Sequence, residues 1–158
     1  YGSKLADLHF EPAELFLFMR PYASPFDFMH DGRAHFGKLE QGYRQDMATA
    51  ESLAPEYRDA AVAVFMMPDE PWARRVSGVY SNDLATGNPG RAHAVLTAKD
   101  NGNYLIRVRA PMNNKRGAAE LCLQFPTGGG RAGAAGINDL PVDQLQSFVD
   151  AFEKAYAG

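Results

Sequence analysis

Apolar residues recur along the first third of the chain at helical intervals. After Asp31-Gly32 they stand at Phe36, Leu39, Tyr43, Met47 and Ala50, steps of three and four that draw one apolar stripe along an amphipathic helix. Ahead of it, Glu11-Pro12-Ala13-Glu14 opens another helix, because proline is tolerated in the first turn and acids suit the positive end of the helix dipole. That helix must stop before Pro21, which leaves Pro21 to Pro25 as a turn or linker. The amphipathic helix ends near Ala54, and a boundary follows at Pro55 to Asp59. Residues 1–58 thus read as a helical extension or inter-domain region, and residues 59–158 as a domain of another kind.

In that second part the pattern changes. Ala61 to Met67 is a short, unbroken apolar run, as expected of a buried central strand. Asp69 to Pro71 lead into a helix with Trp72, Val76, Val79 and Tyr80 on one face, ending by Gly87. Arg91 to Thr97 and Asn103 to Ala110 are strands joined through Lys99-Asp100-Asn101-Gly102, a tight hairpin favoured because Asn and Gly tolerate positive φ. A helix starting near Asn113 or Asn114 carries Ala118, Leu121, Cys122 and Phe125. The last helix puts Leu145, Phe148, Val149, Phe152 and Tyr156 on one stripe. The fold class expected is α/β: a small mixed sheet flanked by helices, with an N-terminal helical extension.

Composition narrows the class. At 158 residues, 46% hydrophobic and 22% charged, the chain matches one globular domain, or one domain with an extension. No apolar run approaches the roughly 20 residues that cross a bilayer. The single cysteine, Cys122, cannot form an internal disulfide and fits a reducing, cytoplasmic setting. No cationic leader followed by an apolar stretch opens the chain. The first residue is Tyr1, as expected of a processed product or part of something longer. The net charge of −3 is unevenly spread. Residues 91–131 hold 7 basic side chains against 2 acidic, whereas residues 1–90 hold 8 against 13. A cationic block in an acidic protein suits an anionic ligand better than wholesale coating of nucleic acid, although a solvated charged face would look alike.

The block ends in Phe125-Pro126-Thr127-Gly128-Gly129-Gly130-Arg131-Ala132-Gly133-Ala134-Ala135-Gly136. Three consecutive glycines let backbone N–H groups approach an anion, and the arginine behind them offers a planar, bidentate phosphate partner. Taken alone, a glycine-rich loop is as often a flexible connector. It is not a nucleotide-triphosphatase phosphate loop, because no Gly-Lys-Ser/Thr follows. Nor is it a dinucleotide fingerprint, which needs a strand directly before it.

Positions 128–136 resemble the signature of the DHH-associated domain, in which three glycines and a histidine precede Ala-Ala-Gly. Tyr104-Leu105-Ile106-Arg107-Val108-Arg109-Ala110 is similar to that family's strand bearing a phosphate-contacting arginine, and the resemblance covers about residues 60–156. It implies a substrate-binding domain that holds the phosphate end of a nucleotide, short oligonucleotide or other phosphate-bearing small molecule. Hydrolysis would fall to a separate DHH domain containing manganese or magnesium, as in relatives that act on nano-RNA, cyclic dinucleotides or polyphosphate. The residues implied are Gly128, Gly129 and Gly130 as the loop meeting substrate and Arg109 as the anion-binding arginine. Arg131 stands where the family usually has histidine, and Arg107 near a position usually held by a small hydroxyl residue; both changes add positive charge.

The catalytic half is not found in these residues. No Asp-His-His tripeptide occurs, and no cofactor of this chain's own is expected. The nearest imitation of a metal site is His30-Asp31 with His35, for which turn chemistry and surface hydrogen bonding are the plainer reading. His9 and His93 are expected to be structural or exposed, Cys122 to be a buried small hydrophobe, and Trp72 and Tyr80 to be core. Arg74-Arg75 and Lys115-Arg116 read as solvated helix faces. Lys115-Arg116, at the start of the helix leading to the glycines, are also candidates for phosphate contact. A non-catalytic regulatory or protein-interaction domain is the alternative to the substrate-binding reading. A self-sufficient hydrolase is the weakest, since no nucleophile, base and metal set can be assembled.

Overall fold

The computed structural model describes residues 4–157. It shows the mixed α/β architecture that the pattern calls for. The N-terminal region supplies α1 (Pro12–Met19), α2 (Pro25–Asp31) and α3 (Arg33–Glu51). The sheet is built from β1 (Tyr57–Arg58), β2 (Val62–Met67), β3 (Ala92–Ala98), β4 (Tyr104–Arg109), β5 (Gly128–Arg131) and β6 (Ala134–Leu140). Interspersed are α4 (Pro71–Gly87), α5 (Ala118–Cys122) and α6 (Leu145–Tyr156). The strand order is β1-β2-β3-β4-β6-β5. β2 and β3 run parallel, joined through α4, and the other neighbouring pairs are antiparallel.

Strand register divides the side chains between two faces, since residues opposite one another across a ladder share a face. On one face Val62, Val64, Ala94, Leu96, Ile106, Val108 and Ile137 are fully buried against α5 and α6, with Phe148 and Phe152 stacked within the same core. On the other face Ala63, Phe65, Met67 and Val95 pack under Ala73, Val76 and Tyr80 of α4, with Met47 and Ala50 of α3 behind. This second covering layer lies over β2 and β3, and the β4-β6-β5 half of that face carries no comparable apolar cluster.

Several expectations are corrected. The glycine run is not a loop: Gly128–Arg131 form an edge strand paired with β6 across the turn Ala132-Gly133. Glycines have no side chains to alternate, so the period of two that marks a strand is absent. The helix expected from Asn113 starts only at Ala118, because Gly117 takes a left-handed φ of 89° and sits against the Tyr156 ring. Phe125 nonetheless keeps its place against Phe148. Val79 and Tyr43 are exposed rather than on the buried stripes, because Ala73, Val76, Ser77, Tyr80 and Ser81 set the inward face of α4 and Gly42, Asp46, Met47 and Ala50 that of α3. Between Pro21 and Gly32 lies α2, opened by a capping box in which Ser24 and Asp27 exchange side-chain-to-backbone hydrogen bonds.

Arg74 and Arg75 are not a solvated face. Arg74 grips Asp7 through Nε and Nη2 at 2.7 and 2.6 Å and also pairs with Asp69. Arg75 forms a bidentate pair with Asp46 of α3 at 2.6 and 2.8 Å and donates to the Asp7 carbonyl. Asp7 and Asp46 are only 2% and 6% exposed, so these pairs clamp the N-terminal segment and α3 onto α4. At the hairpin, Asp139 of β6 gathers Lys99, Asn101 and Asn103, which hold its carboxyl down to about 2.

The Arg74 guanidinium holds the Asp7 carboxyl below its usual range, against the opposing effect of burial. A depressed native pKa gives stability that is fully present above about pH 4 and lost as pH falls through the native value. Asp7→Asn should therefore flatten the acid limb of the stability profile in urea titrations between about pH 2 and pH 5. It should also cost on the order of 2 kcal/mol at neutral pH, because the charge-assisted hydrogen bonds from Arg74 are weakened and only Asp69 remains as its carboxylate partner. Cys122 is fully buried, and burial pushes its thiol up to about 11. Native protein should react with a thiol reagent far more slowly than urea-unfolded chain; equal rates would contradict this placement.

Candidate functional site

The register of β4, β6 and β5 assembles the residues singled out from the sequence. Arg109 lies opposite Ala134, which lies opposite Arg131; Arg107 lies opposite Gly136, which lies opposite Gly129. Arg107, Arg109 and Arg131 thus project from one sheet face, the half that α4 leaves open. Together with Gly128, Gly129, Gly130, Asn138 and Thr127 they line a depression of about 430 Å³. Lys115 and Arg116 lie in the loop before α5 and do not line it.

The three glycines meet different surroundings. A Cβ on Gly128 would overlap the Cys122 carbonyl oxygen at the end of α5, and the Gly128 N–H donates to Phe125 O at 3.1 Å. Gly130 has a φ of 142° and would drive a Cβ into Ala135. Gly129 has open space where a Cβ would stand. The run therefore forms a bare strand floor rather than a loop of free amides. Thr127 enters the strand at a φ of 64°, with its hydroxyl accepting from the Asp139 N–H at 2.9 Å.

Arg107 is half-buried, and its Nε donates to Ser77 Oγ at 3.1 Å. Arg109 donates from Nε to Asn82 Oδ1 at 2.8 Å and from Nη1 to Val108 O at 3.1 Å. No ion pair among the described residues joins Arg107, Arg109 or Arg131 to a carboxylate. Burial lowers the pKa of Arg107. Burial first, then the charges of Arg107 and Arg131, lower that of Arg109. Guanidiniums stay charged at any physiological pH, so the site concentrates positive charge that its own protein does not neutralise.

Sequence reasoning missed Ser77, Gly78 and Asn82. Gly78 lies beside Arg107, and a Cβ there would stand 3.8 Å from the guanidinium carbon. The signal was present: Ser77, Gly78, Ser81 and Asn82 recur at helical spacing beside the apolar stripe of α4, small polar residues where an ordinary helix face has long charged ones.

Three of the four histidines lie elsewhere, whereas His93 of β3 stands directly across the ladder from Arg109, on the same face. His30 pairs with its neighbour Asp31 on the surface, whereas the His35 ring stacks on Phe18 at 3.7 Å. His9 packs against Gly42 of α3. His93 is 1% exposed, and its pKa is pushed down to about 4 by burial and then by Arg91. Among the described residues, no three His, Cys, Asp or Glu side chains stand close enough together to hold a metal ion. Among the described residues no helix is long and apolar enough to cross a membrane.

Comparison with known proteins gives structural likeness alone. No family model and no curated protein matches the sequence. Among solved structures, an exopolyphosphatase-related protein from Bacteroides fragilis is similar with a TM-score of 0.53 and 20% identity over 73% of this chain. A pGpG-specific phosphodiesterase, PggH from Vibrio cholerae, is similar with a TM-score of 0.53 and 11% identity over 94% of this chain. The chain spans 34% and 46% of the lengths of these two proteins. Its fold is thus shared with a part of each of these two proteins.

Proposed function

We propose that this chain is the substrate-binding part of a DHH-type phosphoesterase and holds the phosphate-bearing end of its substrate. The observation that carries the reading is the cluster of Arg107, Arg109 and Arg131 on one half-open sheet face, without a carboxylate partner among the described residues. Such a cluster in a chain of net charge −3 is costly to assemble unless an anion completes it. The phosphate oxygens would meet the guanidinium forks, while the rest of a nucleotide, short oligonucleotide or polyphosphate would lie over Gly129, where no side chain intrudes. The likeness to an exopolyphosphatase-related protein and to a pGpG phosphodiesterase supports this class of substrate.

Hydrolysis belongs, in this reading, to a manganese- or magnesium-dependent DHH domain elsewhere in the same polypeptide. The described residues do not fit a metal of that kind, since no ligand cluster is present among them and such ions need several oxygen donors. The role of this chain is to fix the substrate's charged end so that the scissile bond meets the metals, a gain through positioning rather than through chemistry. The N-terminal helical region, held to α4 through Asp7 and Asp46, is assigned to the connection between the two parts.

Calorimetric titration of nucleoside monophosphates and short polyphosphates into wild type, Arg109→Ala and Arg131→Ala tests the site. A charge-assisted contact is worth about 1.5–3 kcal/mol, so each substitution should weaken binding roughly 10- to 150-fold. A surface patch would lose about 1 kcal/mol or less and screen readily with salt; affinity that survives both substitutions defeats the assignment. This chain by itself should show no turnover of phosphomonoesters or phosphodiesters with manganese or magnesium. Turnover abolished by His30→Ala or Asp31→Ala would overturn the division of labour.

A further inference from the structure

We infer that Ser77 and Asn82 of α4 are positioning residues that hold Arg107 and Arg109 end-on toward the depression, an inference that rests on the anion-site reading above. Both arginines are tied at the same atom: Arg107 Nε donates to Ser77 Oγ and Arg109 Nε to Asn82 Oδ1. A guanidinium offers a bidentate anion either its side edge, through Nε and one Nη, or its end, through the two Nη groups. Occupying Nε closes the side edge and leaves the end. Neither Nη of Arg107 has an acceptor among the described residues; at Arg109, Nη1 gives one of its two hydrogens to Val108 O and keeps the other, and Nη2 has no acceptor among them.

The acceptors are suited to this task because they are neutral. An aspartate or glutamate at either position would orient the arginine equally well, but it would cancel the charge the site needs and compete with the anion. Serine and asparagine orient without neutralising. Gly78, between them on α4, lies beside the Arg107 guanidinium, where a Cβ would stand 3.8 Å from its carbon, at ordinary contact distance. An unrestrained arginine loses much rotamer freedom on binding; one tied in advance has lost it on folding. Asn82 itself is exposed and outside the core, so its substitution leaves the fold alone.

The experiment is titration of inorganic pyrophosphate into the full-length protein with divalent metal chelated, for wild type, Asn82→Ala, Asn82→Asp, Ser77→Ala and Arg109→Ala. Thermal midpoints are measured without ligand, and the arginine Nε–H resonances are followed by NMR. Asn82→Ala should bind about 5-fold more weakly, as expected for losing the preorganisation of one long side chain. Its midpoint should match wild type, while the Arg109 Nε–H exchanges faster with water. Asn82→Asp should bind more weakly still and show a shallower dependence of affinity on salt, because one cation of the site then carries its own counter-ion. A structural role for Asn82 would not alter that salt slope. If both Asn82 variants bind like wild type while Arg109→Ala loses affinity, the positioning role is wrong and the anion site stands. If Arg109→Ala binds like wild type, or wild type does not bind, the anion site itself is wrong and this inference falls with it.

Discussion

The pairing of β4 with β6 decides where every charge of this region goes. Ile106 and Val108 point into the apolar layer beneath α5 and α6, while Arg107 and Arg109 between them point the other way. A slip of one residue would exchange the two sets and place two guanidiniums inside a closed hydrocarbon core. The apolar face therefore fixes the position of the cationic one. β6 continues the same rule through Ala135 and Ile137 inward and Ala134 and Gly136 outward, and β5 inherits its register from β6. Arg107 and Arg109 face outward because Ile106 and Val108 face inward, and Arg131 joins them through its pairing with Ala134.

The half-covered face depends in turn on α4. That helix buries Val76 and Tyr80 against β2 and β3 and presents Ser77 and Asn82 along its other border toward β4. Its first turns are gripped by Asp7, Asp69 and Asp46 through Arg74 and Arg75. One helix thus joins the N-terminal region to the arginine cluster: its beginning bears the clamp, and its middle touches the site. Any rotation of α4 large enough to release Asn82 would also disturb two bidentate, largely buried ion pairs, which are strongly directional.

Much of this was legible because it obeys simple periods. The stripes of α3 and α6 follow the helical period, β2 is an unbroken apolar run, and the Asn-Gly turn marks the β3–β4 hairpin, each at nearly the right bounds. What escaped has a common cause: residues whose side chains do not report their environment. Gly128 to Gly130 carry no alternation, so a strand read as a loop. Gly117 hides in a left-handed turn and shortens the helix that Asn113 seemed to promise. Arg74 and Arg75 look like solvent-facing charge until Asp7 and Asp46, distant in sequence, arrive. Ser77 and Asn82 are ordinary helix-surface residues by composition, and only the sheet beneath gives them a partner.

The glycines of β5 also separate two kinds of constraint that a mutational library would otherwise confuse. Gly128 and Gly130 are demanded by the protein's own atoms, one by the end of α5 and one by Ala135 and a φ of 142°. Larger residues there would be selected against through folding, whatever the molecule binds. Gly129 has no such neighbour, and in a strand glycine forfeits about 0.5–1 kcal/mol relative to alanine. A chain under pressure for stability alone would drift to alanine at 129 and keep its neighbours. Persistence of glycine at that single position, in variants screened for folding and then for activity, would mark the outline of whatever lies on the strand, drawn in negative by the residue that makes room for it.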